Sequence, residues 1–361
     1  MTPRSAAMAR FAGPDKDNPW HTNFRYRPAQ GLGHDPAVTR RDPSCILQVD
    51  GRYYVWYTRH AGPAAVGHER ATDSLPAMPW DLAEVWYATS TDGHRWQEQG
   101  PAIERGPAGA YDERSVFTPD VLAHAGRYYL VYQVSPAPTW RCTPESIAIA
   151  WADSPDGPWT KSAAPVVEPD ESGEVDERGH PEQARVRGTW DSLRVHDPAL
   201  LFREGRFWLY YKGEGIGYSN FESKWGVAVA EQATGPYRKS ALNPLTNSGH
   251  EVLVWPWQGG VAALLTRCGP ERDTIQFAPD GLNFEPRASI SRPPEAAGAL
   301  RVPAPANDQP LAGLAWGLCH ITQWSPHAIR QGSDPLGLAQ IAAPRDFLLR
   351  WDSDRSRAAF V

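Results

Sequence analysis

No tract of clustered lysine and arginine occurs in the 361-residue chain, and its net charge is −6 with both signs interspersed. Nucleic acid and anionic membranes are poor partners for such a surface, because both need concentrated positive charge. No apolar stretch approaches the length of a membrane-spanning helix. The opening MTPRSAAMAR lacks the apolar core of a secretion signal, so the expected compartment is the cytoplasm, or the periplasm if a signal has been trimmed. Cysteine is scarce. Cys45, Cys142, Cys268 and Cys319 lie far apart without a CxxC pair, which argues against a zinc cage. Cys45 and Cys319 sit in apolar surroundings and read as small core residues. Long helical patterns are missing too: 31 Gly and 35 Pro fall mostly between short aromatic runs, the punctuation of many turns.

What the chain has is a repeat. RDPSCILQVDGRYYVWYTR from Arg41, TPDVLAHAGRYYLVYQV from Thr118 and HDPALLFREGRFWLYYKG from His196 share one plan. Each sets an Asp beside a Pro, then an apolar strand, a Gly-Arg turn and an aromatic strand. Asp42, Asp120 and Asp197 head the units at spacings of 78 and 77 residues. A second pattern follows each: WYATSTDGHRWQEQG from Trp86, IAIAWADSPDGPWTKS from Ile147, VAVAEQATGPYRKS from Val227 and TIQFAPDGLNFEPR from Thr274. Asp-Gly between alternating runs signals a hairpin. The two patterns together give four strands, one propeller blade. A fourth unit opens at His250-Glu251, and a degraded fifth spans roughly residues 311–351, with GLAWGLCHITQW and FLLRWD as its strands. The expected fold is therefore all-β, a five-bladed β-propeller over residues 36–361, with residues 1–35 as an N-terminal arm outside the repeat. The segments 168–188 and 290–310 read as loops.

Repetition around an axis gathers equivalent positions at a common centre. Carboxylates gathered there suit glycoside hydrolysis, which uses an acid–base pair across the scissile bond. Asp42, beside Arg40 and Arg41, would stay ionised as a general base must. A turn cap is the alternative use of an Asp-Pro pair, and for Asp120 it competes evenly. His250, ending the turn-rich NPLTNSGH, can donate a proton near neutral pH, and Glu251 lies beside it. Lys212 closes the aromatic strand of the third unit. Among 16 Trp, 13 Tyr and 10 Phe, Trp80, Trp225, Trp255 and Trp257 are candidate stacking platforms for a sugar face, although aromatics also pack between sheets. Thr274 and Gln276 could meet a sugar hydroxyl.

Nearly the whole chain resembles glycoside hydrolase family 117, which includes the α-1,3-(3,6-anhydro)-L-galactosidases. The resemblance rests on RRDPS at Arg40, EVWYATSTDG at Glu84, SVFTPD at Ser115, VHDPALL at Val195, YYKGEG at Tyr210, GPYRKS with NPLTNSGHE ending at Glu251, and GPERDTIQ ending at Gln276. It implies an inverting hydrolysis with Asp42 as base, His250 as acid, Asp197 holding or tuning the acid and Glu251 in support. Trp80, Thr118, Asp120, Lys212 and Gln276 are then the expected sugar contacts, and an oligosaccharide the substrate. Ser5, Ala7 and Arg10 match an SxAxxR motif on an arm exchanged between subunits, implying a homodimer. Some members are associated with a divalent cation, although no ligand cluster in this sequence demands one. In the family pattern SVFTP continues with Glu; here Asp120 stands in its place, shorter by a methylene. An α-glycosidase of the same fold for another terminal sugar, and a non-catalytic carbohydrate-binding propeller, are the competing readings. Glu251 could serve as acid if the loop turned by one residue.

Overall fold

The computed structural model describes residues 18–138, 143–175, 184–302, 309–321 and 345–355. Five antiparallel sheets stand around an axis as the blades of a propeller. In the first four, chain order runs outward from the axis. The innermost strands of blades two to four are Ser115–His124, Arg194–Arg203 and Leu253–Trp257. In blade one that strand is split into Val38–Arg41 and Leu47–Val49, both paired with Arg52–Ala61.

The Gly turns between first and second strands are of one type. Asp50-Gly51, Ala125-Gly126, Glu204-Gly205 and Gln258-Gly259 all have positive φ at both residues, between 44° and 77°. That is a type I′ geometry, whose twist matches the strands it joins, and the glycine takes the second left-handed position without a Cβ penalty. Second strands are sandwiched between neighbouring blades and so are apolar on both faces: Val55, Trp56 and Tyr57 are fully buried, as are Leu209, Tyr210 and Tyr211.

Five apolar layers fill the gaps between neighbours. Trp56 and Tyr132 lie between blades one and two, Leu200 and Ile149 between two and three, and Tyr210 and Val261 between three and four. Trp255 and Trp351 lie between four and five, and Val55 and Leu318 between five and one. Every blade thus has a packed neighbour on both sides, and the ring is closed by burial.

Three sequence expectations need correction. The arm does not extend to residue 35: Asn23–Pro28 pairs with Phe347–Asp354 as the outermost strand of blade five, and Trp20 packs against Trp257 and Phe277. A sheet edge needs a partner for its backbone groups, and the start of the chain supplies one. Segment 290–310 is not merely a loop, since Gly298–Ala299 forms the innermost strand of blade five, paired with Trp316–Ile321. Its small residues hide the strand because close packing leaves no room for larger ones: a Cβ on Gly298 would meet the Ser44 carbonyl. The motif residues Ser5, Ala7 and Arg10 lie outside the described residues.

The third correction concerns register. Asp42 and Asp197 both take a left-handed backbone, and the residue that shares it in blade two is Thr118, not Asp120. Asp120 lies two residues further along its strand. Its Oδ1 accepts from the Cys45 N–H at 3.1 Å, and its Oδ2 accepts from the Leu200 N–H at 3.0 Å and from Arg301. It therefore joins blades one, two and three to the chain leaving blade five's first strand. Asp120→Ala leaves the half-hidden Arg301 guanidinium and two N–H groups without their acceptor. A loss of roughly 3–5 kcal/mol is expected, read as a lower midpoint in thermal and denaturant unfolding.

Candidate active site

Four positions, within or flanking the innermost strands, converge on the axis. Asp42, Thr118, Asp197 and Glu251 have φ of 48°, 46°, 47° and 66°. A left-handed backbone is uncommon for non-glycine residues, and strain of this kind concentrates at functional sites. The ladders slip there, between Phe117 and Asp120 and between His196 and Ala199, while blade one's strand is broken. Pro43, Pro119 and Pro198 follow three of the four; lacking an N–H, they leave no donor unpaired in the bulge. Such bulges re-aim a side chain. Here they turn side chains toward a cavity of about 30 Å³ on the axis, lined by all four residues, with room for water.

Asp42 is the most heavily bonded of the four. Its Oδ2 accepts from Arg41 Nε at 2.8 Å, Thr118 Oγ1 at 3.2 Å and Thr58 Oγ1 at 3.3 Å. Oδ1 accepts from Arg41 Nη2 at 3.3 Å and faces His320 Nδ1 at 3.1 Å. Burial alone would raise its pKa, but Arg41 and His320 overcome that and hold the carboxyl far below its ordinary range. Arg41 also donates to Asp346 at 2.7 Å, and its guanidinium lies 4.7 Å from the centre of the Trp80 ring. Arg40, on the opposite face of the strand, goes to Glu98.

Across the axis, Asp197 Oδ2 accepts from the Glu251 N–H at 2.9 Å and lies 3.3 Å from Lys212 Nζ. Burial opposes the Lys212 charge, yet Asp197, Glu214 and Glu251 raise its pKa above the usual value. The expected contact between Asp197 and the His250 ring is not formed; Asp197 fixes the backbone that carries Glu251 instead. His250 turns Nε2 toward Glu251 Oε1 at 3.6 Å and Nδ1 toward Cys268 Sγ at 3.7 Å. Its side chain is 20% exposed, against 8% for Glu251, so the ring is the more accessible of the pair. Burial, then the charges of Lys212, Arg267, Arg41 and His320, push the His250 pKa well below that of a free imidazole. Burial lifts Glu251 to about 7; His320 opposes the lift, while Asp197, Asp42 and Glu295 add to it. Its Oε2 accepts from the Ala296 N–H.

The structure brings together Asp42, Thr118, Asp197, Lys212, His250 and Glu251, with Trp80 stacked under Arg41 at the border. It separates others. Trp225 and Trp255 are buried in the layers between blades, and Trp257 packs against Trp20 and Phe277, so none is a free platform. Gln276 is fully buried in blade four; its Nε2 donates to Glu271 and Thr274 while Oε1 lacks a partner. Thr274 donates to the Glu271 carbonyl. Asp120 lines the same small cavity as the carboxylates, but its bonds are those of a tie between blades.

Sequence reasoning missed His320. Its blade-five strand departs most from the repeat, and only its alternation with Leu318 gave any signal. Nδ1 lies 3.2 Å from the Asp42 N–H as well as 3.1 Å from Oδ1, and one nitrogen cannot serve both in the same protonation state. Burial and Arg41 oppose protonation of His320, while Asp42 and Glu251 raise its pKa above the ordinary imidazole value, a shift toward the charged ring that donates to the Asp42 carboxylate. Asp42, Glu251 and His320 place one donor atom each within 4.8 Å of one another, which invites the question of a divalent cation. These residues do not fit one as arranged. Both Asp42 oxygens and one Glu251 oxygen are already bonded, Arg41 already neutralises Asp42, and the raised pKa of His320 works against its use as a neutral ligand.

A carboxylate held ionised and an imidazole–carboxylate pair on one propeller axis are the groups that glycoside hydrolysis uses. Comparison with known proteins agrees. Residues 36–179 match the family model described as glycosyl hydrolases family 43. The structure superposes on Zg3597, a family 117 glycoside hydrolase from the marine bacterium Zobellia galactanivorans, with a TM-score of 0.77 and 35% identity, covering 94% of this chain and 92% of that one. The chain belongs to glycoside hydrolase family 117. More distant likenesses show the fold alone. Sucrose-6-phosphate hydrolase from Lactobacillus gasseri has a TM-score of 0.54 at 14% identity, over 84% of this chain and 57% of that one. Fructan 1-exohydrolase IIa from Cichorium intybus has 0.52 at 14%, over 92% and 57%. No curated protein matches the sequence.

The raised pKa of Glu251 carries a pH signature. A carboxyl near 7 when folded and near 4.5 when unfolded contributes stability that is full below about 4.5 and is lost as pH rises through 7. Glu251→Gln cannot ionise. Its unfolding midpoint, relative to wild type, should therefore climb between pH 4.5 and 7.5, by at most about 3 kcal/mol. A constant difference across that range would show that Glu251 ionises normally.

Proposed function

We propose that the protein is an exo-acting, inverting glycosidase that removes a terminal 3,6-anhydro-L-galactose, or a related α-L-sugar, from short neoagaro-type oligosaccharides. The observation that carries this reading is the polarity of the axis: a carboxylate held ionised at Asp42 faces a proton-holding pair, His250 and Glu251. In this reading Asp42 draws the proton from a water as it attacks the anomeric carbon from one face. The leaving oxygen on the other face takes its proton from His250, the more exposed of the pair, since a Glu251 oxygen within 4.8 Å of Asp42 is too near the base to be the direct donor. Inversion follows because water, not the protein, forms the new bond. Lys212 and Asp197 keep Glu251 in place, and Arg41 with Trp80 borders the sugar. The 35% identity to a family 117 glycoside hydrolase supports the reaction class. The family motif SxAxxR at Ser5, Ala7 and Arg10 further supports a homodimer built by exchange of the N-terminal arm.

Incubation with neoagarobiose, followed by proton NMR, tests the proposal. Wild type should release the anhydro-sugar, with the inverted anomer appearing first, and Asp42→Asn should slow turnover by about 10²–10⁴-fold. Absence of release, with hydrolysis of another α-linked terminal sugar, would keep the reaction class and change the substrate. Sugar binding without turnover in either form would instead make the protein a lectin.

A second assignment of the acid is favoured by the opposite pKa displacements of the pair. With His250 depressed and Glu251 raised, the free enzyme stores its proton on Glu251 near neutral pH, and His250 receives it only as substrate closes the site. His250→Ala and Glu251→Gln separate the roles with a substrate whose leaving group is too good to need protonation. Such a substrate should rescue whichever variant lacks the group that donates directly, and leave the other impaired.

A further inference from the structure

The two halves of the site, resting on blades one and four, meet through a residue of blade five. His320 stands on Trp316–Ile321 beside the buried Cys319, with its ring turned to Asp42 and Glu251 and its side chain 1% exposed. Nδ1 lies 3.1 Å from Asp42 Oδ1 and Nε2 lies 3.8 Å from Glu251 Oε1. From the same Oε1, His250 Nε2 is 3.6 Å away. Four buried or half-buried groups, Asp42, His320, Glu251 and His250, thus form a line of contacts from the assigned base to the assigned acid. The charged groups that face the ring are Asp42 and Arg41 from blade one, Glu251 from blade four, and Asp346, which Arg41 holds at the start of the next strand.

A buried imidazole between two carboxylates is costly if it serves packing alone, since an apolar side chain would fill the space without desolvating three polar groups. The two spacings are unequal in a useful direction. The shorter contact is to Asp42, which must be anionic to activate water, and the longer one is to Glu251, which must keep its proton until the leaving group departs. A cation placed this way favours the ionised form of Asp42 more than that of Glu251.

We propose that His320 is a positioning residue for the reaction, a cationic bridge that holds the Asp42 carboxylate in place and links its charge state to that of Glu251. The inference rests on the assignment of Asp42 and the His250–Glu251 pair to base and acid. No proton has to cross the ring for the bridge to act.

Two measurements test it, one of them independent of any substrate. In nitrogen-15 NMR of the full-length protein, the His320 ring should carry both protons at pH 7. Its titration should move to lower pH in Asp42→Asn, and by less in Glu251→Gln. A ring that is neutral at pH 7, or one indifferent to both substitutions, overturns the bridge. So does a nitrogen shift that vanishes on adding a chelator, which would mean that the ring holds a metal.

The second measurement is the pH profile of kcat/KM for His320→Gln and His320→Asn. Without the cation, Asp42 binds a proton more readily, so the acidic limb should rise toward the ordinary carboxylate range. The loss of activity relative to wild type should therefore be larger at acid than at neutral pH. A uniform loss at every pH would assign His320 a structural role only. If His320→Gln fails to fold, His320→Asn with added imidazole serves, and restoration of the wild-type limb by imidazole is the expected result. Should no glycoside be cleaved by the wild type, the kinetic arm is silent while the NMR arm still decides the bridge.

Discussion

Three carboxylates brought to one buried axis form the constraint from which the rest of the site follows. Asp42, Asp197 and Glu251 are each less than one-tenth exposed. Buried anions must be paired, hydrogen-bonded or protonated, because their charge is poorly solvated. Each solves the problem differently. Asp42 takes the Arg41 guanidinium, two hydroxyls and the His320 ring. Asp197 takes the Lys212 ammonium and a backbone N–H. Glu251 has no comparably close cation, with the His320 and His250 rings at 3.8 and 3.6 Å and one N–H, and keeps its proton to about pH 7. An ionised acceptor and a protonated neighbour thus arise from unequal access to cations rather than from different residue types.

The propeller makes this concentration tolerable. Each innermost strand is anchored by a second strand buried on both faces, and each blade by two apolar layers. Pairing of Asn23–Pro28 with Phe347–Asp354 joins the start of the chain to its end. The axis is therefore overdetermined, and the left-handed residues at its mouth are held by structure that cannot relax around them. Asp120 adds a tie across the channel, below the carboxylates, where the strands of blades one and three approach.

Much of this was legible in the sequence, for a physical reason: turns and strand alternation are local. The type I′ turns announce themselves by Gly at a fixed offset, and the aromatic second strands by being apolar on both faces. What escaped was non-local. The three Asp residues seemed equivalent because spacings of 78 and 77 residues look regular, but the bulge sits at Asp42, Thr118 and Asp197, at spacings of 76 and 79. A bulge is set by which residue precedes the proline, and blade two carries Thr-Pro-Asp where blades one and three carry Asp-Pro. Trp225 and Trp255 pass for stacking platforms because composition cannot tell an inter-blade layer from a binding face. Gly298–Ala299 was too short and too small to show a period. His320 had no motif around it, since its importance comes from two residues 278 and 69 positions away in the chain.

The same shift of register explains why the site can work at all. Were blade two to present a carboxylate at the Thr118 position, its oxygen would face Asp42 with no cation to spare, since Arg41 already serves Asp42 and Asp346. Two carboxylates in contact cannot both ionise, and one of them would hold a proton. Thr118 instead donates its hydroxyl to Asp42 at 3.2 Å, and its N–H holds Thr58, which donates to the same oxygen at 3.3 Å. The acidic residue of blade two is moved two positions inward, where backbone N–H groups and Arg301 absorb its charge. Departure from the repeat at Thr118 thus gives Asp42 a neighbour that donates to it instead of one that competes for its cation.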